Sequence, residues 1–327
     1  MEKLSDLTFC DLFVHSQPQK CMYKVVAKAP PAPLAANLYP ELEKMYAAIE
    51  ESEEGNAGRR SFRFSWEGIS YRVEKMRTLG GRVYVLRRLA DRPRTFAELG
   101  LLPFYARQML SPSLKDGLVI CTGSTGSGKS SVAAAVLLER LTRYGGLAWT
   151  VENPVETSLE GKIGEHGMCY QIGIDSDQQS GETIASTLRG GSPQIIFLGE
   201  IRESTGASQA LRAAASGHIV ITTIHGSDIV AVLERLTSLA RQYEGDASRA
   251  LLADSLRVVL HLRLEQRDVK RQPVLRATGL FLLPEYPGER EAISIASKIR
   301  AGEFEKLRSD IQAQSNYALL QSSTRNV

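Results

Sequence analysis

The sequence predicts an α/β protein with a mainly parallel sheet, preceded by a small α+β domain. Short apolar runs alternate with helical stretches from about residue 104 onward, the pattern of βαβ units. One of those runs leads directly into a glycine-rich turn and a helix. Before that point the pattern changes to alternating strands around one amphipathic helix.

The length of 327 residues accommodates two domains, with residues 1–97 as the small N-terminal domain and connector and 98–327 as the larger one. An apolar fraction of 43% and a charged fraction of 24% place the chain among globular proteins. The net charge of +3 and aromatic fraction of 7% supply no basic patch with interleaved aromatics, so a stable nucleic-acid partner is not expected. No run approaches the about 20 apolar residues that cross a bilayer, and the N-terminus MEKLSDLTFCDLF lacks a signal-peptide pattern. A cytoplasmic location follows as the expectation. Cys10, Cys21, Cys121 and Cys169 form no CxxC pair, which argues for free thiols over a zinc site or disulfide framework.

In the first domain, LSDLTF (4–9) and SFRFSWEGISYRVEKM (61–76) alternate as half-buried strands do, and GRVYVLRRL (81–89) reads as another strand. LYPELEKMYAAIEE (38–51) is a charged amphipathic helix, and KAPPAPLAAN (28–37) before it is a loop or extended linker. ADRPRTFAELGLLP (90–103) has a connector's composition. In the second domain LVICT (118–122), LAWTVE (147–152), QIIFLGE (194–200) and HIVITTI (218–224) are apolar enough to be strands buried on both faces. DIVAVLERLTSLARQY (228–243) is an amphipathic helix. LRVVLHLRLEQ (256–266) and PVLRATGLFLLP (273–284) pair across a polar turn at RDVKR (267–271), and the tail from Glu289 is helical, then polar and frayed at its end.

Gly123-Ser124-Thr125-Gly126-Ser127-Gly128-Lys129-Ser130 matches G-x-x-x-x-G-K-[ST] between the strand LVICT and the helix 130–144, which stops at Gly145-Gly146. The glycines let backbone N–H groups turn inward around phosphate, and the helix N-terminus adds partial positive charge. Lys129 reaches the β- and γ-phosphates of a nucleotide, and the Ser130 hydroxyl suits Mg²⁺; Ser131 completes the expected contact set. ATP and Mg²⁺ are therefore the expected ligands. The bland alternative is a chance glycine-rich turn, which the strand–loop–helix context disfavours.

Glu200 ends the buried strand 194–200, where a carboxylate holds the metal or orients water; Gly199 occupies the place of the usual metal-side aspartate. Read alone, a solvated strand-end charge is the alternative for Glu200. Glu152 ends another strand at the edge where α/β sheets bind ligands, and Glu156 is a weaker candidate beside it. His225 ends the strand 218–224 at that same edge, while His218 begins it at the far end, and His15, His166 and His261 carry no motif. A satisfied structural histidine is the alternative for His225.

From residue 123 to 239 the chain resembles the secretion and pilus ATPases, which include type II secretion motors, pilus assembly or retraction motors and type IV secretion ATPases. The resemblance rests on GSTGSGKSS, the acidic block TVENPVE (150–156), SPQIIFLGEIRE (192–203) with its Gly-Glu-hydrophobic-Arg core, and ALRAAASGHIVITTIHG (210–226) with His218 and His225. The first half, through SDLTF (5–9), YRVEKM (71–76), GRVYVLRRL and TFAELGL (95–101), is similar to the pilus-retraction branch and the Dot/Icm and IncI-type transfer ATPases. Asn153, Ala215, Ser192 and Pro193 depart from the family's usual residues, and its tetracysteine zinc insertion is lacking.

The resemblance implies a RecA-like P-loop core behind a PAS-like N-terminal domain. It implies Mg-dependent ATP hydrolysis, with Glu200 orienting water or binding metal, Glu152 as a second carboxylate and His225 contacting the γ-phosphate or Glu200. It also implies a homohexameric ring that powers a bacterial type IV secretion, conjugation or type IV pilus machine, with a retraction motor as the narrower alternative. Such a ring docks on membrane-embedded platform proteins at the inner face of the cytoplasmic membrane. Arg72, Arg82 and Arg87 are by default solvated strand charges; the resemblance raises Arg72 and Arg87 as arginine fingers across a subunit boundary. A P-loop kinase would not need the histidine block, a nucleic-acid motor would show a basic aromatic patch, and a non-catalytic scaffold would have lost Lys129 or Glu200.

Overall fold

The computed structural model describes residues 3–25, 29–55, 60–89, 92–265 and 274–323, which form two compact units. The first comprises Met1–Arg92 with Pro154–Ser158, and the second comprises Pro93–Asn153 with Leu159–Val327.

In the first unit the elements run β1 (Asp11–His15), β2 (Met22–Lys24), β3 (Ala32–Pro33), α1 (Tyr39–Gly55), β4 (Ser61–Trp66), β5 (Ile69–Thr78) and β6 (Gly81–Arg88). Their sheet is antiparallel in the order β3-β2-β1-β6-β5-β4. Alternation along the strands turns Leu12, Val14, Phe62, Phe64, Val73, Tyr84 and Leu86 to one side, where Leu42, Met45 and Ile49 of α1 bury against them. The run 61–76 is a hairpin, because Glu67 and Gly68 both adopt positive φ (46° and 79°), as a two-residue primed turn requires. LSDLTF differs from the strand expectation. Leu4–Asp6 is a 3₁₀ turn, and the Asp6 carboxylate accepts from the Lys3 N–H at 3.1 Å, a local bond that competes with strand pairing.

The second unit begins with α2 (Phe96–Leu99) and α3 (Pro103–Met109). Thr95 and Glu98 form a capping box, and Phe96 and Leu101 are buried in the core, so this stretch packs as part of the unit instead of running as an open connector. The chain continues through β7 (Gly117–Gly123), α4 (Lys129–Tyr144), β8 (Gly146–Glu152), β9 (Gly161–Ile163), β10 (Gly167–Gly173), α5 (Ser180–Gly191) and β11 (Ile195–Leu198). It closes with α6 (Ser204–Ala215), β12 (Ile219–His225), α7 (Ile229–Glu244), α8 (Ala247–Ser255), β13 (Leu256–Glu265), β14 (Val274–Phe281), α9 (Glu289–Ala301) and α10 (Leu307–Ser323). The expected turn at 267–271 and the frayed end at 324–327 lie outside the described residues.

The sheet order is β14-β13-β7-β12-β11-β8-β10-β9, parallel from β13 to β10 with antiparallel edge strands β14 and β9. Successive residues of β7 point to opposite faces, Val119 and Cys121 toward α4 and Leu118 and Ile120 toward α6 and α7. Helices on both faces explain why β7, β11 and β12 read as continuous apolar runs. Strand β10 was not anticipated: its polar and exposed positions, with Tyr170 and Gln171 among them, give it neither a continuous apolar run nor a clean alternation.

Candidate functional site

Parallel pairing lines up the strand ends that carry the candidate side chains. His225 is in register with Gly123, so the end of β12 lies beside the glycine-rich loop that follows β7. Next comes β11, followed by Gly199 and Glu200, and then β8, which ends at Glu152. Residues far apart in the chain thus converge on the carboxyl edge of the sheet, where open α/β sheets take ligands.

The loop has the backbone of a phosphate cradle. Gly123, Gly126 and Gly128 have φ of 144°, 77° and 93°. At Gly123 a Cβ would also strike the Leu262 carbonyl oxygen at 2.3 Å, so only glycine fits there. Gly128 is the N-cap of α4 and no side chain caps it, leaving the first-turn N–H groups free of a side-chain partner. Ser127 Oγ is buried with no hydrogen-bond partner, an orphaned polar atom inside the loop. Ser124 and Thr125 are exposed, Ser130 is half-buried on the first turn of α4, and Ser131 beside it is exposed. These features fit a polyphosphate and its metal.

Lys129 is 7% exposed, and its ammonium donates to the Ser124 carbonyl at 2.9 Å and lies 3.4 Å from His225 Nδ1. On the other side of that ring, Nε2 is 3.5 Å from Glu200 Oε1. His225 therefore stands between the lysine and the carboxylate. Glu200 is also gripped by Arg202, with Nη2 at 2.6 Å and Nε at 2.9 Å from Oε2. Arg202 continues to Asp177 at 3.2 Å, and Asn153 Nδ2 donates to Asp177 at 3.1 Å. Burial works against the Arg202 charge, but its bonds to Glu200 and Asp177 outweigh this and raise its pKa.

Glu152 is 5% exposed and accepts from Gln171 Nε2 at 2.9 Å; the Gln171 amide oxygen in turn holds the Leu159 and Glu160 N–H groups. Among the described residues no cluster of three or more His, Cys, Asp or Glu side chains is arranged to hold a metal by itself. A metal here would need ligand oxygens from the substrate, as Mg²⁺ on ATP has.

Arg202, Asp177 and Gln171 were not picked out from sequence as site residues. Arg202 sits inside the quoted Gly-Glu-hydrophobic-Arg block, so its signal was present; Asp177 and Gln171 carry none. His218 lies at the opposite end of β12, bonded through Nδ1 to the Ala213 carbonyl at 3.2 Å. Arg72 and Arg87 belong to the first unit. There Arg72 pairs with Glu156 at 3.4 Å and Glu74 at 3.7 Å, and Arg87 with Asp11 at 2.8 Å. All four cysteines are free thiols, and no helix among the described residues is long and apolar enough to cross a membrane.

The match to known proteins covers most of the chain. It is 33% identical over 227 residues to the protein transport protein HofB homolog of Haemophilus influenzae, covering 67% of this chain and 45% of that protein. It is 30% identical over 239 residues to the type II secretion system protein E of Klebsiella pneumoniae, covering 72% of this chain and 45% of that one. Against the type IV pilus retractation ATPase PilT of Pseudomonas aeruginosa the identity is 32% over 202 residues, covering 61% and 56%. The chain spans about half the length of the curated relatives it matches. In fold it is similar to the pilus retraction motor PilT with bound ADP, with a TM-score of 0.74 at 22% identity over 95% of this chain and 88% of that one. The Legionella pneumophila ATPase DotB gives 0.68 at 20% identity, over 93% and 84%. The fold is thus the α/β type of those ATPases, and with residues 28–280 matching its family description, the chain belongs to the Type II/IV secretion system protein family.

Proposed function

We infer that this chain is a Mg-dependent ATPase whose turnover drives a bacterial type IV secretion, conjugation or type IV pilus machine. The observation that carries the reading is the contiguous row Lys129–His225–Glu200 beside an uncapped, glycine-rich loop. Hydrolysis of ATP demands neutralised phosphate charge and an oriented water, with little covalent chemistry from the protein. The loop N–H groups and the α4 N-terminus bind the phosphates, and Lys129 supplies the cation. Ser130 and Glu200, with Glu152 as the second carboxylate, would hold Mg²⁺, which supplies charge neutralisation at the β- and γ-phosphates. Glu200 accepts a hydrogen bond from the attacking water. His225, touching both Lys129 and Glu200, reports the state of the γ-phosphate to β12.

The family relation supports a homohexameric ring docked on platform proteins at the inner face of the cytoplasmic membrane, with Arg72 and Arg87 as candidates for action on a neighbouring site. Lys129→Ala and Glu200→Gln test the core of the reading. The lysine variant loses nucleotide affinity, because the cation on the phosphates is gone. The glutamine variant keeps affinity and loses phosphate release, because shape persists while the carboxylate does not. Phosphate release near wild type from Glu200→Gln would refute the assignment.

A further inference from the structure

Strand β11 ends at Leu198 and α6 begins at Ser204, so Glu200 stands on a stretch that belongs to neither. Bonds to the neighbouring strands hold that stretch. On one side the Gly199 N–H donates to the Val151 carbonyl of β8 at 3.0 Å. On the other, two bonds fall on one residue of β12. The Ile201 N–H donates to the Thr223 carbonyl at 3.0 Å, and the Thr223 hydroxyl donates to the Gly199 carbonyl at 2.7 Å. Thr223 thus grips the residue before Glu200 and the residue after it. We propose that Thr223 is a positioning residue for ATP hydrolysis, fixing the backbone from which Glu200 reaches His225 and the attacking water. The inference rests on the role proposed above for Glu200.

The hydroxyl acts where the stretch is least constrained by its own side chains. Gly199 has no Cβ to restrict its dihedral angles, so its conformation must be set from outside. Its carbonyl shares a planar peptide unit with the Glu200 N–H, and a bond that holds the carbonyl therefore holds the start of Glu200. Thr223 is 2% exposed. A hydroxyl so buried is costly to leave without a partner, which favours the closed contact.

Thr223 and His225 are two residues apart on β12, so both side chains turn to the face on which Ile221 packs toward α4. His225 Nε2 lies 3.5 Å from Glu200 Oε1. One strand therefore sets both the backbone of Glu200 and the ring that its carboxylate meets. Thr222 turns to the opposite face, where its hydroxyl bonds the Thr223 carbonyl at 3.4 Å. The Arg202 fork fixes the angle of the Glu200 carboxylate, whereas Thr223 fixes where that side chain begins.

Thr223→Val in the full chain tests the proposal, because valine keeps the β-branch and the volume and loses the donor. The kcat for ATP should fall by about 10- to 100-fold, approaching the loss from a group misplaced by about 1 Å, with KM little changed. Thr223→Ser, which returns the hydroxyl, should recover most of that loss. On a Glu200→Gln background, adding Thr223→Val should slow single-turnover hydrolysis no further, since the group being placed is gone. A residue that served folding alone would slow both backgrounds alike. Wild-type kcat in Thr223→Val overturns the proposal, and so does a loss that serine does not restore or that repeats in full on Glu200→Gln. Glu200→Gln alone separates the two readings. If it loses hydrolysis while Thr223→Val keeps it, this inference falls by itself; if it turns over like wild type, the role of Glu200 falls and this inference with it.

Discussion

Gly199 and Glu152 lie side by side at the ends of neighbouring strands, and a Cβ at position 199 would sit 3.3 Å from Glu152 Cγ and 3.5 Å from its Cα. The stem of Glu152 thus fills the space that a metal-side aspartate at 199 would use, and in the proposed function the second carboxylate comes from β8 instead. Gly199→Ala asks its neighbour to give by a few tenths of an ångström and should leave hydrolysis close to wild type. Gly199→Asp crowds Glu152 with a like charge. Phosphate release at saturating ATP should fall by about 10²-fold, the scale of a misplaced catalytic group. Wild-type turnover in Gly199→Asp would show that Glu152 is not the second carboxylate.

Much of this edge could be read directly from residues, and the reason is local. The glycine-rich loop, its strand and its helix are consecutive in the chain, and β7, β11 and β12 are mostly apolar because both faces are covered. Lys129, Glu200 and His225 each sit at a strand or helix end marked by a motif. The grip of Arg202 on Asp177 was not legible, because it spans 25 residues and depends on where the chain crosses the sheet between β10 and β11. Strand β10 escaped for a different reason: it lies near the sheet edge, where half-exposed positions dilute the apolar pattern. In the first unit, LSDLTF shows that alternation over so few residues loses to a side-chain bond such as that of Asp6.

The pairing of Arg72 and Arg87 sharpens the test of action between subunits. Arg87 holds Asp11, whose side chain is 12% exposed, so Arg87→Ala should lower stability by about 1 kcal/mol, read by chemical denaturation. Arg72 reaches Glu74 at 3.7 Å and Glu156 at 3.4 Å through different nitrogens, long and partly exposed pairs whose loss in Arg72→Ala should cost little stability. Arginine fingers contribute roughly 10³–10⁵ in rate, far more than such a stability change explains. Mixing Lys129→Ala subunits with Arg72→Ala or Arg87→Ala subunits should restore activity in mixed rings if the arginine acts in trans. An arginine variant with unchanged turnover is removed from the site.

His261 confers a pH dependence on stability. Its Nδ1 is buried without a partner, and Nε2 accepts from Arg263 Nε at 3.4 Å. Burial lowers its pKa, Arg263 and Lys129 add to the shift, and Asp228 opposes it. The unfolded chain therefore binds this proton more readily than the folded one, near the ordinary value of about 6.5. The resulting contribution to stability is fully present above that value and is lost as pH falls through and below it. His261→Gln should flatten the acid side of a plot of unfolding free energy against pH. An unchanged acid limb would assign the dependence to other groups.

Arg202 is the residue that orients Glu200, and its substitution separates positioning from binding. Two of its nitrogens hold one oxygen of the carboxylate, while the other oxygen faces His225. Asp177 anchors the far side of the guanidinium and is itself held by Asn153, so Glu200 is aimed by a chain of bonds that begins on the segment after β8. Arg202→Gln leaves the carboxylate charge in place and removes the fork that fixes its angle. The expected result is a fall in kcat of about 10²-fold, as for a reacting group displaced by about 1 Å, with KM for ATP little changed. Asp177→Asn, one bond further out, should cost less and in the same parameter. Arg202→Lys restores the charge without the fork, and recovering only a small part of kcat would identify geometry as what Arg202 contributes. A rise in KM with kcat preserved would instead place Arg202 in nucleotide binding and remove it from the orientation of Glu200.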